Sequence, residues 1–189
     1  MAHPDVSTLT VGEIVVSGKG SKTAPIQCNG QEVVLTLEAP VAFEPSAYGD
    51  ADKSATRVNF VLRPSKQDME WLREVDEFVI ATLARDSARY FGKPRTPDQI
   101  REAFTPSVKE SDKYPPTFKT KINQDGAGRV KIWDDEGHPR DAPEIWREAV
   151  VKARVRVKGV WFMGQNSCGV TFDATDVKIL SEHSQECPL

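Results

Sequence analysis

Residues 150–163 read VVKARVRVKGVWFM, and the fold turns on how this stretch is taken. In a strand, residues two apart share a face at a spacing of about 6.6 Å. Val151, Ala153, Val155 and Val157 then point inward, while Lys152, Arg154, Arg156 and Lys158 point outward. Continuing the register puts Phe162 on the cationic side and Trp161 on the apolar side. Gly159 leaves room for a bulge that would reverse the two. After the turn GQNS (164–167), CGVTFDATDVKIL (168–180) supplies a second strand, so the C-terminal core is a strand pair.

Upstream, VGEIVVSG (11–18), QEVVLTLEAP (31–40) and TRVNFVLRP (56–64) are β-branched runs bounded by turn residues and read as strands. EPSAYGDADKSA (44–55) reads as a loop. From Ser65 to Phe91 the period changes: Met69, Leu72, Val75, Val79 and Leu83 recur at three and four, which predicts a helix with Ser65 as its N-cap and GKP (92–94) as its end. TPDQIREAF (96–104) opens a second, short helix, with Thr96 as cap, Pro97 at the first helical position and Gln99 completing a capping box. Beyond Phe104 the chain reads as extended, and Pro115 and Pro116 forbid helix there. No internal repeat of about 20 to 50 residues is visible.

Three strands, a helical block at about 65–104 and roughly four further strands predict a mainly β protein with an α insertion. The order is that of an OB-like antiparallel β-barrel with a helical block after the third strand, a fold whose open face commonly binds oligonucleotides. At 189 residues the expectation is one OB-like nucleic-acid-binding domain over 1–180 and a short C-terminal tail, SEHSQECPL, over 181–189.

The formal net charge of -3 argues against a protein that coats duplex DNA by bulk charge, but it leaves room for a basic face on an acidic body. The start MAHPDVSTLT has neither a basic leader nor an apolar run, and no segment approaches the roughly 18 apolar residues of a membrane span. The expectation is a soluble, intracellular protein with no membrane association. Three widely spaced cysteines, Cys28, Cys168 and Cys187, do not form a disulfide framework.

A second basic region precedes the C-terminal pair. Lys119 and Lys121 oppose Phe118, Thr120 and Ile122. Across a turn at QDGAG (124–128), Arg129, Lys131 and Trp133 oppose Val130 and Ile132. This hairpin and the 150–163 strand each offer cations with one aromatic on the polar side. A single strand exposes both phosphates and base faces: cations gain by releasing condensed counterions, and a base stacked on an aromatic is worth about 1–3 kcal/mol regardless of sequence.

Other functions find less support. WDDEGHPRD (133–141) clusters carboxylates that would suit Mg²⁺ in a nuclease, and it also reads as an ordinary polar turn. SGKGSK (17–22) lacks P-loop spacing and reads as a hairpin loop. No G-x-S-x-G or G-x-G-x-x-G occurs, and the three histidines are too far apart for a zinc motif. Neither catalysis nor a cofactor or metal is expected. A protein-interaction or virion structural module is the alternative, since Trp71 and Phe78 lie off the main stripe of the long helix.

FTPSVK (104–109), YPPTFKTKI (114–122), VKIWD (130–134) and VKGVWFMGQNSCGVTFDATDVKIL (157–180) together resemble the single-stranded DNA-binding proteins of large nucleocytoplasmic DNA viruses of algae and amoebae. That family is related to the OB-fold single-stranded DNA-binding proteins of tailed bacteriophages. The resemblance implies sequence-independent coating of single-stranded DNA during replication, recombination or repair, at a viral replication site in the host cytoplasm or nucleus. It places Tyr114, Lys119, Lys121, Lys158 and Phe162 near the binding face. It also implies replication proteins as partners through the C-terminal tail, although only Glu182 and Glu186 supply acids there. A homodimer through the edge of the 115–122 strand is a further expectation. The full set of candidate contacts is Tyr114, Lys119, Lys121, Arg129, Lys131, Trp133, Lys152, Arg154, Arg156, Lys158 and Phe162.

Overall fold

The computed structural model describes residues 3–47, 56–164 and 166–182. The expected loop at 44–55 and tail at 181–189 therefore lie largely outside the described residues. The strands are Leu9–Val11 (β1), Val15–Val16 (β2), Lys22–Cys28 (β3), Gln31–Pro40 (β4) and Arg57–Leu62 (β5), followed by helices Lys66–Arg85 (α1), Ser87–Phe91 (α2) and Pro97–Ala103 (α3). Short strands Phe104–Thr105 (β6), Val108–Lys109 (β7), Thr117–Asn123 (β8) and Lys131–Trp133 (β9) lead to the long pair Val150–Met163 (β10) and Ser167–Ser181 (β11). The chain divides into two compact units. One comprises Met1–Leu35, Lys66–Val108 and Arg156–Phe172; the other comprises Thr36–Ser65, Lys109–Val155 and Asp173–Leu189.

In the first unit β3 is the hub. Its first half pairs antiparallel with β2 (Val15↔Thr23) and with β10 (Gly159↔Pro25 through Phe162↔Lys22), and its second half pairs with β1 (Leu9↔Cys28). The turn from β3 into β4 has Asn29 and Gly30 at φ 51° and 77°, the two positive values that a tight hairpin requires and that Asn-Gly supplies. β3 is absent from the sequence reading because Pro25 interrupts its pattern. Conversely, the expected 11–18 strand is split between β1 and β2.

The predicted long helix breaks at Asp86, whose ψ of 28° with φ -107° leaves the α region. Ser87 Oγ there accepts from Arg95 N at 2.9 Å, which fixes the chain reversal, and α2 ends on Gly92 at φ 73°. Leu72, Val75, Val79 and Leu83 are buried as the periodicity predicts. Trp71 is buried too, its indole N–H donating to Pro4 O at 2.8 Å, so it forms no docking patch; Phe78 is half-buried. α3 carries the predicted capping box, Gln99 N to Thr96 Oγ1 at 3.3 Å and Thr96 N to Gln99 Oε1 at 3.0 Å.

Asp76 on α1 is buried and ties the helix to the 104–108 segment, accepting from Ser107 N at 2.7 Å and Ser107 Oγ at 2.5 Å. Loss of hydration outweighs those two bonds and pushes its carboxyl up to about 6. A folded-state value above the unfolded one means that the native state holds the proton more tightly. The stability Asp76 contributes is therefore fully present below about pH 4 and is lost as pH rises through 6. Asp76→Asn should raise stability by about 2 kcal/mol at pH 7.5 and change it little at pH 4. Denaturant melts at the two pH values check this, and an equal effect at both would refute it.

In the second unit β5 and β8 pair antiparallel along their length, Arg57↔Asn123 to Leu62↔Phe118. β8 and β9 each run parallel to β11 in succession, with Lys121↔Asp173 and then Lys131↔Asp176 to Lys178↔Trp133. The expected hairpin between them is thus replaced by two stations along one strand, although Val130 N still donates to Asn123 O at 2.8 Å. β8 thus pairs with β5 along its length and meets β11 at Lys121↔Asp173. Phe60, Leu62, Phe118, Ile122, Trp146, Val151, Ala153, Val155 and Val177 are buried in this unit, with Phe60 and Trp146 edge-to-face at 5.2 Å.

Candidate nucleic-acid interface

The alternation of β10 is present as read. Val151, Ala153, Val155 and Val157 are buried, Lys152 and Arg156 are half-buried, and Arg154 and Lys158 are exposed. At Gly159 the alternation changes phase. Arg156 reaches Glu32 at 3.0 Å, and Glu32 pairs with Gln27 in the β3–β4 register, while Trp161 pairs with Thr23. Gln27 and Thr23 lie on one side of β3. Arg156 and Trp161 therefore share the outer side although they are five residues apart.

Phe162 consequently faces inward, a correction to the sequence reading. It is 8% exposed, stacks on Tyr90 at 5.9 Å and meets Phe91 edge-on at 5.7 Å, so it presents no ring to a base. Trp161, assigned inward from the sequence, is half-buried on the outer side. Glycine at 159 is what permits this, since a Cβ there would lie 2.3 Å from Ala24 O.

On the outer face of the second unit, three strands align one row: Asn59 of β5, Lys121 of β8 and Asp173 of β11. Lys121 Nζ donates to Asn59 Oδ1 at 2.5 Å, and Arg57 is ion-paired with Asp173, whose residue is 5% exposed. Lys119, exposed, sits two residues from Lys121 on the same side. Burial, followed by the charges of Lys119 and Arg57, lowers the Lys121 ammonium below the ordinary lysine range, with Asp173 opposing. Among the described residues, the three cations of this cluster outnumber its one carboxylate, a positive surplus that an added anion relieves.

Neighbouring residues on β9, β10 and β11 extend the face. Arg154 Nη1 lies 3.8 Å from Asp176 Oδ2, and the Trp133 indole N–H donates to Asp176 Oδ1 at 3.4 Å. Thr175 Oγ1 donates to Asp176 at 2.9 Å, so this carboxylate orients the ring of a half-buried Trp133. Lys131 is exposed beside it, and Lys178 of β11 stands in register with Trp133. Arg129 is exposed in the loop before β9, and Tyr114 is 72% exposed in the loop before β8.

Sequence reasoning missed Arg57, Asn59, Trp161 and Lys178. For Arg57 and Asn59 the signal was there: RVNFVL alternates as clearly as β10, with Val58, Phe60 and Leu62 buried and Arg57 and Asn59 outward. The carboxylates of 133–141 close a turn, with Asp134 Oδ1 accepting from Glu136 N at 3.0 Å and His138 N at 2.8 Å.

No protein-family model matches the chain, and no curated protein matches its sequence. Among solved structures the chain is similar to gp2.5, a single-stranded DNA-binding protein encoded by bacteriophage T7, with a TM-score of 0.56 and 12% identity over 82% of this chain and 90% of that one. It is also similar to the single-stranded DNA-binding protein of bacteriophage Enc34 in complex with ssDNA, with a TM-score of 0.46 and 11% identity over 93% and 98%. With the T7 protein the chain shares a fold, mainly β and OB-like, in which a helical block follows the early strands.

Proposed function

We propose that this protein binds single-stranded DNA without sequence preference and without catalysis. The observation that carries the reading is the Arg57, Lys119 and Lys121 cluster, in which, among the described residues, one buried carboxylate is outnumbered by cations. A phosphate supplies the missing charge there, and Lys131, Lys152 and Arg154 add further cations on neighbouring strands of the same unit. A backbone track of this kind reads no sequence, and the oriented Trp133 provides a ring for any base. The fold shared with the T7 protein supports the same ligand class. The motif resemblance to proteins of large nucleocytoplasmic DNA viruses supports a viral setting and a role in replication, recombination or repair. Replication proteins as partners through the tail, residues 181–189, belong to the same reading; 183–189 lie outside the described residues.

Fluorescence anisotropy of a labelled oligothymidylate of roughly 30 nucleotides tests it, beside the matching duplex and with Mg²⁺ present and absent. The expected result is binding tighter to the single strand, without cleavage whether Mg²⁺ is present or absent, and with log affinity falling linearly in log salt by about 0.7 per phosphate contact. Equal affinity for duplex, or none at low salt, would overturn it.

A further inference from the structure

Trp161, and not Phe162, has its ring on the outer side of β10. Its indole lies across Gly169 of β11: a Cβ at 169 would meet Trp161 Cε2, Cζ2 and Nε1, all at 3.0 Å. Three neighbouring ring atoms at one distance set the ring over the glycine instead of touching it by one corner. Any larger residue at 169 would lift the ring off the strand.

The row around it is made of short side chains. Val15 of β2 and Thr23 of β3 stand in register with Trp161 on one flank, and Thr105 of β6 stands in register with Gly169 on the other. A large flat ring supported from beneath, among short neighbours and half-buried on the outer side of its strand, is the shape of a stacking surface. The charge around it fits a polyanion: Lys158 is exposed on the outer side of the same strand, and Lys22 is exposed next to Thr23. The other indoles are differently placed. Trp71 and Trp146 are buried, and the N–H of Trp133 is held by Asp176.

We propose that Trp161, seated on Gly169, is a base-stacking platform, with one nucleobase of a single strand lying on its solvent side and Lys158 meeting an adjacent phosphate. The inference rests on the single-strand reading and adds a base subsite to it.

The test uses two oligomers of equal length, oligothymidylate and its abasic deoxyribose-phosphate counterpart, with the wild type, Trp161→Ala and Trp161→Phe. Trp161→Ala should weaken oligothymidylate about 5- to 150-fold, Trp161→Phe only a few-fold, with the salt slope unchanged. Affinity for the abasic oligomer should be the same in all three. Equal losses on both oligomers would make the ring a mere support of the strand and overturn the platform, as would full retention of oligothymidylate affinity by Trp161→Ala. A second readout avoids dependence on that variant's folding. In Trp133→Phe, whose remaining indoles besides Trp161 are buried, oligothymidylate at concentrations that saturate this variant's own anisotropy should quench tryptophan fluorescence and the abasic oligomer should not. Absence of quenching by oligothymidylate overturns the platform while the anisotropy reading stands. Absence of wild-type binding to either oligomer removes both.

Discussion

Replacing Gly159 with alanine is expected to destabilise the protein by about 4 kcal/mol, at the upper end of what single substitutions do. The added Cβ would fall 2.3 Å from Ala24 O, 3.0 Å from Ala24 C and 3.0 Å from Pro25 Cα. All three atoms are backbone, so no rotamer change relieves the overlap. β3 and β10 must part by about an ångström, which weakens the ladder from Gly159↔Pro25 to Phe162↔Lys22. Overpacking of this kind costs typically about 1–3 kcal/mol, and each weakened ladder bond adds about 0.5–1.5 kcal/mol. The phase change also sends Phe162 inward to Tyr90 and Phe91, so that contact is strained with it. Gly20→Ala is the matched control: a Cβ there meets nothing within 4 Å, so its cost is limited to that of a non-glycine residue at φ 80°. Urea titration of the two variants decides the matter, and a Gly159→Ala protein as stable as Gly20→Ala would show that β10 keeps its phase without the glycine.

The same glycine marks where sequence reasoning stops. The valine and cation alternation of β10, the apolar stripe of α1 and the capping box of α3 are local patterns, and each is present as read. Local pattern does not carry phase through a glycine, because Gly159 adds no side chain to either face. The same alternation therefore continues equally well with Phe162 or with Trp161 outward. Pairing partners are likewise non-local. Lys119 and Lys121 show their facing in β8 alone, yet that β8 and β9 line β11 in succession, in place of forming a hairpin, depends on contacts more than 40 residues apart in sequence. Asp173 illustrates the limit most clearly. In GVTFDATDVKIL it reads as one more polar residue, and only its placement beside Arg57, 116 residues away, makes it the buried counter-charge of the cationic cluster.

That counter-charge shapes the effect expected of the cluster on binding. Removing Arg57 alone would leave the Asp173 carboxylate buried without its ion pair, so lost affinity would be mixed with lost stability. The informative protein is therefore Arg57→Gln/Lys119→Gln/Lys121→Gln with Asp173→Asn, which removes three cations and the carboxylate together and keeps side chains of similar size. Arg57 is already paired with Asp173, so the four changes remove a net charge of two, and at about 0.7 per phosphate contact the slope should be smaller by about 1.4. At 0.1 M salt, a tenfold step below the 1 M reference, the same arithmetic gives about a 25-fold loss of affinity. The loss should be equal for every base composition and should close toward 1 M salt, because it is a counterion term. Lys119→Gln/Lys121→Gln, with the Arg57–Asp173 pair intact, removes the same net charge and should show about the same slope change, with urea stability altered only by loss of the Lys121–Asn59 hydrogen bond. If the slope of the four-site variant matches that of the wild type while affinity falls, the cluster holds the sheet together and the strand's phosphates lie elsewhere.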